Sequence, residues 1–163
     1  MADPTATMTG TEEQRPPVPE GDERSAAHEG DTVVGIDIHI IDVSTPAGPV
    51  PTPTPHPFKG TLDRELSGDV QIEDKPAATV GSLATNDPGH VPIGGAFHKT
   101  PKDEAKVHRG DESVLVNDKP IARHGDPCFT CSDPMDLPTG IVIASSSVVC
   151  GDAPPPPDAL KKS

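Results

Sequence analysis

The segment Val70-Gln-Ile-Glu-Asp-Lys-Pro-Ala-Ala-Thr-Val-Gly-Ser82 returns, without gaps and 44 residues later, as Val114-Leu-Val-Asn-Asp-Lys-Pro-Ile-Ala-Arg-His-Gly-Asp126. Val70 falls on Val114, Asp74 on Asp118, Lys75-Pro76 on Lys119-Pro120, Ala78 on Ala122 and Gly81 on Gly125. A repeat of this length is one supersecondary unit used more than once, because a single copy cannot bury its own apolar face. In each copy Val70 and Ile72, or Val114 and Val116, alternate as in a strand with one buried side. Glu-Asp-Lys-Pro or Asn-Asp-Lys-Pro then turns the chain, and a short apolar segment closes on Gly81 or Gly125. The unit predicts a β-hairpin and excludes a helix.

The rest of the composition limits what the hairpins can pack against. Only 32% of the 163 residues are hydrophobic, Trp and Tyr are absent, and Phe58, Phe97 and Phe129 are the only aromatics. With 22 prolines and 15 glycines no long window suits a helix. The expected fold class is mostly β: short strands and hairpins with long Pro-rich loops. So thin a core needs a metal, disulfides or a partner subunit. Three cysteines make no disulfide framework. The formal net charge of −13 argues against nucleic acid and against anionic membrane surfaces. No apolar run reaches signal-peptide or transmembrane length, so synthesis in the cytoplasm is expected.

Taken in order, residues 1–30 are acidic and poor in apolar side chains, which predicts a disordered arm. Order is expected from Thr32, where Ile36, Ile38 and Ile40 share one face and Asp37, His39 and Ile41 the other. The run Thr45–Pro55 reads in isolation as a polyproline-type linker. It ends, however, in His56-Pro-Phe58, a histidine followed by an aromatic anchor, which predicts a segment laid down on a surface rather than left free. Residues 96–111 read as a polar surface connection. They include Arg109-Gly110-Asp111, a tripeptide too short to support an adhesion role. A last apolar strand, Ile141–Gly151, reads as a degenerate third copy, and residues 152–163 as a Pro-rich disordered tail. The domain over 31–151 would then sit between two tails.

No enzyme signature is present: neither His-Glu-x-x-His, nor Gly-x-Ser-x-Gly, nor a phosphate-binding glycine loop occurs. The histidines and cysteines are more informative. His39 lies in a strand, His56 and His90 in loops on either side of the first repeat, and Cys128 and Cys131 form a Cys-x-x-Cys after the second. Three imidazoles and one thiolate suit zinc, with iron as the alternative. Such a site would cross-link four distant segments, which is the staple this core requires. Against this, each histidine could be a solvated loop or strand residue, and the Cys-x-x-Cys could be a redox pair, although no βαβ pattern surrounds it. His28, His98, His108 and His124 sit in polar stretches and read as solvated. His124 is the best substitute ligand, being near the cysteines.

Together the repeat and the ligand set resemble the PAAR-repeat proteins, named for Pro-Ala-Ala-Arg. The motif stands here as Pro76-Ala77-Ala78-Thr79 and Pro120-Ile121-Ala122-Arg123, each copy departing at one position. The resemblance also covers Asp37-Ile-His39, Gly48 to Phe58, Pro88-Gly-His90-Val-Pro92 and Thr130-Cys131-x-Asp-Pro134, about residues 32–151 in all. It implies a small conical β-structure, without catalysis, at the tip of the trimeric β-helical spike protein of a contractile injection system. Type VI secretion systems, phage tails and extracellular contractile particles are such machines, and the long proline run looks more like the latter two. One tip per trimer would help pierce the target membrane, and would be delivered outside the cell or into a target cell. The resemblance further implies one structural zinc ion (Zn2+), with iron as the alternative, held by three histidines and a cysteine. Carried over by position these are His39, His56, His90 and Cys131. Cys131 is chosen over Cys128 because Thr-Cys-x-Asp-Pro is the matching part, and Cys150 is left as a small buried apolar residue. The alternative reading is an adaptor whose tails recruit an effector to the spike.

Overall fold

In the computed structural model, which describes residues 24–150, the repeat hairpins appear as β4 with β5 and β9 with β10, and no helix forms among the described residues. The strands are β1 (Arg24–Ser25), β2 (Thr32–Val43), β3 (Val50–Arg64), β4 (Gln71–Ile72), β5 (Lys75–Pro76), β6 (Leu83–Asn86), β7 (Ala96–Phe97), β8 (Glu104–Val107), β9 (Asp111–Val116), β10 (Lys119–Ile121), β11 (Pro127–Thr130), β12 (Leu137–Ile143) and β13 (Val149–Cys150). The fold is mostly β, as expected. Both hairpins turn through two residues with positive φ, Glu73 and Asp74 in one and Asn117 and Asp118 in the other. That backbone matches the twist of antiparallel strands.

Six strands close on themselves in the antiparallel order β2-β3-β6-β8-β11-β12 and back to β2. A closed ring leaves no free edge. The ring has three near-equivalent sectors, each a strand out, a hairpin and a strand back. The Ala27 N–H donates to Ala122 O (2.9 Å), Ala122 N–H to Ala78 O (2.9 Å), and Ala78 N–H to Ala27 O (3.0 Å). All three alanines are fully buried. Just beyond them Gly30, Gly81 and Gly125 take φ of 92°, 95° and 86°, which only glycine adopts without strain. Their amides donate to Leu62, Val107 and Val142, and each of these donates back to Asp31, Ser82 or Asp126. Across the ladder the same three residues face Ala84, Cys128 and Val33, and all six lie in the main core.

This symmetry corrects the expected repeat boundaries. The third unit is not Ile141–Gly151 alone but is split between the two ends of the described chain. Val149 and Cys150 supply its first strand, and Arg24 and Ser25 its second, in the register Arg24↔Cys150 and Ser25↔Val149. Ala26-Ala27-x-x-Gly30-Asp31 then stands where Ile121-Ala122-x-x-Gly125-Asp126 stands in the second unit. Residues 24–30, assigned to the acidic arm by composition, are therefore ordered, because Ala26 and Ala27 have a buried place to fill. The disorder expected for 1–23 and 152–163 lies outside the described residues, as does Gly151, which the sequence places in the domain. A second small core joins the hairpins: Ile72 with Ala77, Val116 with Ile121, and Cys150 with Ala26.

Two further expectations change. The proline run is more than a segment laid on a surface: it is the first half of β3, paired with β2 from Val50↔Val43 to Thr61↔Thr32. Prolines 51, 53, 55 and 57 fall on every second residue, so all the missing donors point to the side away from β2. Residues 96–111 are not merely a surface connection, since β8 is a stave of the ring with Ala105 and Val107 buried. Asp111 is also buried, in an ion pair with Arg123, so Arg109-Gly110-Asp111 is not presented as a free loop.

Candidate metal centre

Strand β2 buries its polar face. Asp37, His39 and Ile41 point inward while Ile36 is half exposed. With strands rising about 3.3 Å per residue, Asp37 lies roughly 17 Å along β2 from Thr32, well beyond the alanine ring. Asp37 faces His56 across the ladder and His39 faces Thr54. His90 comes from the loop after β6 and Cys131 from the residue after β11.

Each side chain is set by its own supports. The His90 amide donates to Asp103 Oδ1 (2.8 Å), which also accepts from Asn86 Nδ2 (3.0 Å), while Asn86 Oδ1 accepts from the Lys59 amide (3.0 Å). The loop bearing Cys131 is strapped to β2 in both directions. Ile38 N–H donates to Ser132 Oγ (3.0 Å) and Asp133 N–H to Ile38 O (2.7 Å). Phe97 lies 5.6 Å from the His39 ring and 5.6 Å from the His56 ring, closing one side with apolar surface.

The structure brings His39, His90 and Cys131 into one group of donor atoms, and sets the His56 ring beside the other two imidazoles but outside that group. The imidazole centroids are 4.7 Å apart for His39–His90, 5.5 Å for His39–His56 and 5.7 Å for His56–His90. His39 Nε2 is 3.8 Å from Cys131 Sγ. His56 donates from Nδ1 to Thr54 O (2.9 Å), and its Nε2 is buried and without a partner. A buried polar atom with nothing to bond calls for an occupant.

Asp37 is the member that the sequence reading left out. Its side chain is fully buried, with Oδ2 2.7 Å from His90 Nε2, 3.3 Å from Cys131 Sγ and 3.9 Å from His39 Nε2. Donor atoms of Asp37, His39, His90 and Cys131 all lie within 4.8 Å of one another, a group that could hold a metal ion. Tetrahedral sites with bonds of about 2.0–2.3 Å have ligand-to-ligand edges of about 3.3–3.7 Å, close to these separations. The residues fit a metal. The only available signal for Asp37 was the two-residue spacing Asp37-x-His39, which puts both on one strand face.

The protonation states agree. Burial, then the neighbouring Asp37 carboxylate, push the Cys131 thiol up to about 12, so a thiolate there requires a cation. Burial and the nearby His90 hold His39 below the usual imidazole range, which favours the neutral ring that ligates.

Cys128, the competing cysteine, is elsewhere. It is fully buried in the ring interior opposite Val107, at the position of Val33 and Ala84 in the other sectors. Burial and Asp126 push its thiol up to about 12 as well, and like Cys131 and Cys150 it forms no disulfide. The four remaining histidines are outside the cluster. His28 is buried rather than solvated, with Nδ1 2.7 Å from Glu29 O. His98 is exposed beside Asp42, His108 packs on Phe129 at 4.3 Å, and the Nδ1 of His124 accepts from Ala144 N–H (3.1 Å).

A family model described as PAAR motif matches residues 42–128, more than half of the chain. The chain belongs to the PAAR family. No curated protein and no solved structure matches it. Membership makes it a spike-tip-type protein of contractile injection systems, and the PAAR family is structural rather than enzymatic. The matched range holds both intact PAAR repeats, His56 and His90. Asp37, His39, Cys131 and the split third unit lie outside it, and they join this PAAR domain through the fold.

Proposed function

We propose that this protein caps the end of a trimeric β-helical spike, one tip per trimer, and travels with the spike into a target membrane. The observation that carries the reading is the threefold cycle of backbone hydrogen bonds through Ala27, Ala78 and Ala122. One chain built this way offers a threefold partner three near-equivalent contact regions. The hairpins around the cycle also carry apolar side chains that the domain does not cover. Val148 is 39% exposed, Leu115 58% and Val149 57%, while Val70 and Val114, equivalent to Val148 by register, pack partly buried against the second core. Exposed apolar positions of this kind suit flat packing or strand addition against another β-structure.

At the far end of the β2–β3 ribbon His39, His56, His90 and Cys131 would hold one structural ion, zinc before iron. When bound, the ion supplies a cross-link between four segments that have few apolar contacts of their own. The role has no catalytic step, because protein donors fill the coordination sphere of the ion and leave no open position. Assembly takes place at the particle tip, with delivery outside the producing cell.

The test is native mass spectrometry of the protein mixed with its trimeric spike. One tip per three spike chains is expected. Leu115→Asp combined with Val148→Asp should abolish the complex while leaving the isolated domain folded. A complex of other stoichiometry, or one indifferent to both charges, would refute capping by this face.

A further inference from the structure

We infer that Asp37 binds the ion directly through Oδ2 and turns the site into a charge-neutral cage, a step that rests on the metal-binding reading above. Three neutral imidazoles and one thiolate leave a divalent ion with one uncompensated positive charge. A buried carboxylate has the opposite problem, since moving an unpaired charge out of water is costly. Asp37 is fully buried, and among the described residues no Lys or Arg pairs with it; its only ionic neighbours are His90 and His39. Its Oδ1 has no hydrogen-bond partner. The two deficits cancel only if the carboxylate and the ion share one site.

Position separates a ligand from a supporting group. A carboxylate that merely orients a metal-bound histidine contacts the ring nitrogen facing away from the metal. Asp37 Oδ2 instead lies against the thiol sulfur of Cys131 (3.3 Å) as well as His90 Nε2 (2.7 Å), and 3.9 Å from His39 Nε2. It stands among the ligand atoms rather than behind one of them. Added to the proposed ligands His39, His56, His90 and Cys131, Asp37 gives three nitrogens, one sulfur and one oxygen. Of these, His56 Nε2 is buried without a partner but stands outside the four donors that lie within 4.8 Å of one another. Five donors suit zinc or iron(II) expanded beyond four-coordination.

The experiment loads the full chain with Co2+ and Zn2+ and compares wild type with Asp37→Asn. Wild type is expected to show a sulfur-to-cobalt charge-transfer band and weak, five-coordinate visible bands. Asp37→Asn should keep the charge-transfer band, intensify the visible bands toward tetrahedral, and bind Zn2+ more than about 100-fold less tightly, beyond the 10–100-fold typical of supporting residues. Unchanged visible bands with a smaller loss would make Asp37 a supporting residue and overturn the inference. If the variant does not fold, zinc-edge absorption of wild type and the Zn2+ affinity of His56→Ala decide. One sulfur with four light scatterers supports ligation. One sulfur with three and an unchanged affinity in His56→Ala supports it with Asp37 in place of His56, and one sulfur with three and a lowered affinity in His56→Ala refutes it. A wild type that binds neither ion would instead refute the metal-binding reading itself.

Discussion

The two cysteines of Cys128-x-x-Cys131 should separate cleanly by mutation. Cys128 fills a ring position held by Val33 and Ala84 in the other two sectors, so the fold already accommodates valine and alanine there. Cys128→Ala removes one buried sulfur and leaves a small cavity, a loss of about 1–2 kcal/mol. Cys131→Ala costs a similar amount without metal, but removes a ligand as well. At a Zn2+ concentration about a thousand times the dissociation constant, binding stabilises the folded state by about 4 kcal/mol. At roughly 3–6 °C per kcal/mol for a domain of this size, that is a rise of about 12–24 °C in melting temperature. Melts in excess chelator and in excess Zn2+ should therefore show the full rise for wild type and Cys128→Ala, and almost none for Cys131→Ala. Loss of the rise in Cys128→Ala, or its retention in Cys131→Ala, would refute the assignment.

Other consequences can be tested independently of metal. Joining Cys150 to Arg24 through Asn-Asp, and opening the chain between Asn117 and Asp118, should give a permutant that folds within about 2 kcal/mol of the parent by denaturant titration, because loop closure changes little. A loss above about 4 kcal/mol would mean that the split hairpin is not equivalent to the other two. For Asp111, burial works against the carboxylate, but the Ser113 hydroxyl and amide and Arg123 outweigh it and hold it below the usual range. A lowered folded pKa gives stability that is present above the unfolded value of about 3.9 and lost as pH falls through the folded one. Asp111→Asn should thus be less stable than wild type at pH 6 and lose less between pH 4 and pH 2. Equal acid slopes for the two proteins would refute it.

The contiguous repeats were legible because Asp-Lys-Pro-x-Ala-x-x-Gly requires a turn, a buried small residue and a positive-φ glycine in fixed order. The third unit was hidden for a topological reason. Its strands come from Val149-Cys150 and Arg24-Ser25, so no fixed offset along the chain can find it, although Ala26-Ala27-x-x-Gly30-Asp31 carries the pattern. Proline misled differently: one proline argues against a strand, whereas four at every second position satisfy a strand bonded on one side only. Asp37 was missed because an acidic residue in a chain of net charge −13 carries no signal by itself. Its meaning comes from burial, and burial there depends on segments that meet only in the folded protein. The same dependence explains why the site lies where it does. Around the alanine ring, backbone bonds and two apolar clusters already hold three sectors together. Toward the far end of β2 and β3 the sheet loses β6, the β3 side is blocked by proline, and inward positions pass from Val33 to Asp37 and His39. Besides the contacts of Ile41 and Phe97, stabilisation there comes from charge and coordination, and removing the ion should loosen this end while leaving the ring intact.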